Sequence, residues 1–72
     1  MLKFENKNNG RYYYIYVETD LFGDNVLCVI RGGTYVSGIL SRMLSGTEET
    51  IQAEIERLSR LRLQRGYILI SN

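Results

Sequence analysis

One run of residues limits what this chain can become: Arg11-Tyr12-Tyr13-Tyr14-Ile15-Tyr16-Val17-Glu18. Aromatic and β-branched side chains suit a pleated, half-buried surface, so the run predicts a strand. Alternation along a strand sends Tyr13, Ile15 and Val17 to one face and Tyr12, Tyr14, Tyr16 and Glu18 to the other. The first face is expected to be core. A strand with two such faces needs neighbours, and a chain of 72 residues has room for one domain to supply them.

The preceding segment, Met1 to Gly10, ends in Asn6-Lys7-Asn8-Asn9-Gly10 and reads as a loop. Downstream, Asp20-Leu21-Phe22-Gly23-Asp24-Asn25 supplies turn residues before a second strand, Val26-Leu27-Cys28-Val29-Ile30-Arg31, that is apolar on both faces. Gly32-Gly33 then reads as a tight hairpin turn, and Thr34 to Leu44 as a third strand with a bulge or bend at Gly38. Ser45-Gly46-Thr47-Glu48-Glu49 has the hydroxyl cap and acidic first turn of a helix start. Within that helix Ile51, Ile55, Leu58 and Leu61 or Arg62 recur at helical spacing, and Gly66 is placed to end it. Tyr67-Ile68-Leu69-Ile70 returns as a short strand. The expectation is an α+β domain, β-β-β-α-β, with an antiparallel sheet of about four strands and one helix packed across one face.

Function classes narrow quickly. There is no histidine and one cysteine, Cys28, so a thiol nucleophile lacks its usual base and the common zinc ligand sets cannot be built. Neither enzymatic activity nor a cofactor or metal is expected. Glu18, Asp20 and Asp24 match no calcium-loop spacing and read as turn residues. A lone cysteine and the absence of a leader-like or spanning apolar stretch point to a cytoplasmic protein without membrane contact.

Two patterns suggest binding. Arg57, Arg60, Arg62 and Arg65 fall within nine residues, although nine basic and eight acidic side chains leave a net charge of only +1. Such a cationic helix end suits phosphate, and Arg31 beside two glycines adds a further cation. Nucleic acid is therefore the first expected partner, through Arg31, Arg57, Arg60 and Arg65. The same helix end also admits a plain account, with Glu56 pairing Arg60 and the arginines complementing the helix dipole. The alternative function is a protein-interaction module or small inhibitor that uses its sheet face or edge. Tyr14, Tyr16, Val29 and Tyr35 would be its anchors, with self-association open to the same surface.

From Arg11 to Ile70 the chain also resembles the WGR domain family in its short bacterial form. The resemblance rests on Tyr12-Tyr13, Asp20-Leu21-Phe22-Gly23, Leu27, Gly32, Gly38 and Arg65-Gly66-Tyr67. Arg31-Gly32-Gly33 stands where the family has its Trp-Gly-Arg triplet, so only the glycine is kept. The resemblance implies an antiparallel sheet with one helix across a face. It also implies DNA binding of the kind such domains perform in poly(ADP-ribose) polymerases.

Overall fold

A computed structural model describes residues 1–71 of the chain. The chain folds as β1 (Leu2–Asn6), β2 (Arg11–Thr19), β3 (Asn25–Gly33), β4 (Val36–Gly46), α1 (Glu48–Gln64) and β5 (Ile68–Ser71). The strands form one sheet in the order β4-β3-β2-β1-β5, and every neighbouring pair is antiparallel. The α+β class and the helix are as expected, but the sheet has five strands. β1 is the addition, occupying part of the segment read as a loop. Leu2, Phe4 and Asn6 alternate with Lys3 and Glu5, and their register against Ile15, Tyr13 and Arg11 turns them toward the helix.

The core lies between the helix and one sheet face, where Phe4, Tyr13, Ile15, Leu27, Val29, Ile51 and Leu58 pack together. Full burial of a side chain such as Phe4, Ile15, Leu27 or Val29 contributes about 1.5–3 kcal/mol, and these dominate a domain of this size. Tyr13 and Ile15 are on the core face as expected. Val17 shares that face but remains 43% exposed. Val29 corrects an expectation: it is 1% exposed and pairs with Ile15 on the inner face, so it cannot anchor a partner.

Helix boundaries follow from capping. The Thr47 side chain accepts from the Thr50 backbone N–H at 3.2 Å, and Glu48 and Glu49 occupy the positive end of the helix dipole. At the other end Tyr67 N–H donates to Arg62 O at 2.9 Å and Gly66 N–H to Leu63 O at 3.2 Å. This is a Schellman closure, with Gly66 at φ +87° in the region that other L-residues enter at a cost.

The β3–β4 connection differs from the glycine turn expected. Gly33 pairs with Val36, so Thr34 and Tyr35 make the turn and both glycines lie in the strand. Gly38 does fall at an irregularity, since Ser37 and Gly38 together oppose Gly32. Among the described residues no helix is long and apolar enough to cross a membrane.

Candidate anion-binding cleft

The alternation of β2 and β3 places Arg11, Tyr13 and Arg31 on the helix side of the sheet, toward the end where the helix terminates. The stripe Ile51, Ile55, Leu58 continues into Arg62, so the last inward position of the helix carries a guanidinium. That group lies 4.2 Å from the centre of the Tyr13 ring and 5.2 Å from that of Tyr67. The Schellman closure fixes the second contact, because it bonds Tyr67 back to Arg62. Cation–π contacts partly replace lost hydration, yet the buried Arg62 Nε has no hydrogen-bond partner among the described residues.

Arg65 completes the set. Asn6, nearly buried at the end of β1, donates from Nδ2 to Arg65 O at 3.3 Å and accepts at Oδ1 from Asn8 N–H at 3.0 Å. One side chain thus ties the first turn to the end of the helix. Arg11, Arg31, Arg62 and Arg65 thereby line one cleft of about 400 Å³. Tyr12, Tyr13, Tyr67, Gly32, Gly33, Val36 and Ile39 provide the remainder of its wall. Among the described residues no carboxylate lines the cleft and none pairs with its arginines.

The arginines that do have acidic partners lie elsewhere. Arg42 meets Glu18 at 3.3 Å, and Arg57 pairs with Glu54 one helical turn earlier. Of the four arginines expected to form a nucleic-acid site, Arg31 and Arg65 come together. Arg57 and Arg60 are exposed outside the cleft. Arg11 and Arg62 were not expected in the site, although the sequence carries a signal for both. Each is a cation at a position that periodicity assigns to an apolar face, and such a residue needs a partner or a purpose.

The expected aromatic anchors separate. Tyr14 and Tyr16 are half-buried on the helix-free face, whereas Tyr35 is 98% exposed at the hairpin tip. Burial pushes the Tyr16 phenol up, with Cys28 and Glu18 adding to the shift. Cys28 is fully buried in the same neighbourhood. Its thiol is pushed up chiefly by burial and then by Glu18, so it is a poor nucleophile. Among the described residues no three His, Cys, Asp or Glu side chains converge as metal ligands would.

No family model, curated protein or solved structure matches the chain. The reading of the cleft rests on its own chemistry: planar, permanently charged forks facing a shared space, with aromatic rings holding one of them in place.

Proposed function

We propose that the chain is a non-catalytic binding module that takes the phosphate backbone of nucleic acid, in the first instance DNA, into the cleft of Arg11, Arg31, Arg62 and Arg65. Segregation of charge carries this reading. The molecule is almost neutral, yet four guanidinium groups converge without an acid while the paired arginines lie elsewhere. Arginine forks match phosphate oxygens in geometry, and the unpartnered Arg62 donor is of the kind an anion satisfies. The residues that resemble WGR domains support the same reading, since Tyr12, Tyr13, Gly32, Arg65 and Tyr67 all lie around this cleft. A buried free thiol suits a reducing compartment such as the cytoplasm.

Anisotropy titrations of a short labelled duplex at several salt concentrations test the proposal. Each phosphate engaged adds about −0.9 to the log–log salt slope, so the four arginines set a limit of about −3.6, reached when each takes its own phosphate. Replacing Arg31 and Arg65 by Gln weakens binding by about tenfold or more and flattens the slope by about 2. The same change at Arg57 and Arg60 has a much smaller effect. Equal losses from the two double variants, or no binding at about 50 mM salt, reject the cleft as the site.

A second reading has its own observation. β4 is an edge strand of eleven residues, and Val36, Ile39, Leu40 and Met43 along it are half-exposed. Such an edge accepts a strand from a protein partner or a second copy. Salt-insensitive association abolished by Leu40→Lys, measured by light scattering, favours that reading over the first.

A further inference from the structure

The helix-free face of the sheet carries a feature that the cleft does not explain. The Tyr12 ring reaches from β2 over β3 to β4, where a β-carbon at Gly32 would lie 2.5 Å from its Oη and one at Gly38 would lie 2.8 Å away. The outer end of the ring therefore lies over a floor kept clear by two glycines, and Tyr12 as a whole is half-buried. Tyr14 follows at a centroid distance of 4.9 Å and a tilt of 32°, with the Lys3 ammonium 5.5 Å from its ring centre. Two adjoining, half-buried tyrosine rings and an ammonium group thus lie on one side of the sheet.

This platform adjoins the arginines. A second depression, of about 290 Å³, lies between the β1–β2 turn and the β3–β4 hairpin and contains Lys7 and Gly10. It shares Arg11, Tyr12 and Gly33 with the arginine cleft, so the two meet around the end of the sheet. Arg11, Lys7 and Lys3 lie between the cleft and the tyrosines, with Glu5, the ladder partner of Tyr12, as one acid among these three cations.

We infer that the preferred ligand is single-stranded nucleic acid, with a phosphate held in the arginine cleft and neighbouring bases stacked on Tyr12 and Tyr14. This inference rests on the proposed backbone-binding function and adds the state of the strand. Every base has a π-face, so stacking on tyrosine is tolerant of sequence, but only unpaired bases can offer that face along a strand. A duplex keeps its bases stacked on each other and gains only the phosphate contacts.

The experiment compares a labelled ten-nucleotide oligothymidine with a ten-base-pair hairpin duplex on the intact chain, using Tyr14→Leu, Tyr12→Leu and the double variant Arg31→Gln/Arg65→Gln. Far-UV circular dichroism confirms that each variant is folded. The wild type is expected to bind the single strand more tightly, and Tyr14→Leu to weaken that binding at least about fivefold while leaving duplex affinity unchanged. The arginine variant weakens both ligands. Should Tyr14→Leu and Tyr12→Leu both keep wild-type affinity for the single strand while the arginine variant loses it, the platform is overturned and the backbone-binding function stands. Tighter binding of the duplex by the wild type also overturns the platform, and binding of neither ligand overturns both proposals.

Discussion

The Tyr12 ring occupies the space that methyl groups at Gly32 and Gly38 would fill, so one residue on β2 determines what two other strands can carry. These glycines are needed for room rather than for unusual backbone angles, since neither has a positive φ. Their combination with an aromatic neighbour also protects the sheet, because the ring covers backbone that glycine leaves bare. Gly32→Ala is therefore expected to displace the ring, and because the atoms that must move are the outer end of a half-buried side chain the cost should be about 1 kcal/mol. In a Tyr12→Ala background the same change should cost much less, because nothing then competes for the space. Urea unfolding of the four proteins in this double-mutant cycle measures the difference. An identical cost in both backgrounds would mean that the ring is not what keeps Gly32 a glycine. Arg62 makes the complementary point, for its guanidinium stands where the helical stripe calls for an apolar group and is held by Tyr13 and Tyr67 instead.

Among the elements, β1 owes its place to a polar residue. Asn6 faces the helix side yet is nearly buried, and its amide links the β1–β2 turn to the Arg65 carbonyl. Asn6→Ala removes both part-buried bonds and should cost about 1–3 kcal/mol, at about 0.5–1.5 kcal/mol for each. Asn6→Asp keeps the acceptor for Asn8 but sets a carboxylate against the negative end of the helix. Near-complete burial and the facing Arg65 carbonyl, which loses its amide donor, disfavour the charged form more than Arg11 across the ladder favours it, which raises the folded pKa. Stability of this variant is therefore greatest below about pH 4, the ordinary aspartate value, and falls as pH rises through the raised folded value. Thermal melts of the aspartate and alanine variants between pH 3.5 and 7 test this, and parallel pH curves would contradict it. The same residue explains why β1 was not legible in the sequence. Leu2 and Phe4 alternate correctly, but five residues ending in an asparagine cluster look like a turn unless the helix end they contact is known. β2, β3, β4 and the capped helix were readable because their signals are local: alternation, turn residues, Thr47, Gly66. The cleft was only half readable. Arg31 and Arg65 stand beside glycines, whereas Arg11 and Arg62 join them through sheet register and helix phase, which no short stretch of sequence displays.

At the scale of the whole molecule, a net charge of +1 conceals an uneven distribution. The four guanidinium groups around one cleft repel one another, and with no carboxylate among the described residues lining it that repulsion is left to solvent ions. A cleft of this kind should make the fold itself sensitive to the anion supplied. An oxyanion that bridges two or more arginines binds the native state and not the unfolded chain, where the same side chains are dispersed, so it raises stability by mass action. At about one hundred times its dissociation constant the gain is about 2.7 kcal/mol, and each kcal/mol moves the melting midpoint of a domain this small by about 4–8 °C. Chloride at equal ionic strength screens the repulsion without bridging it and should raise the midpoint less. Sulfate also strengthens burial in any protein by exclusion from its surface, so the informative quantity is the excess that disappears in Arg31→Gln/Arg65→Gln. Differential scanning fluorimetry of the wild type and that variant, in sulfate and chloride at matched ionic strength, isolates the excess. A variant that retains the full sulfate increment would show that the arginines act as separate charges and that the cleft does not work as one site.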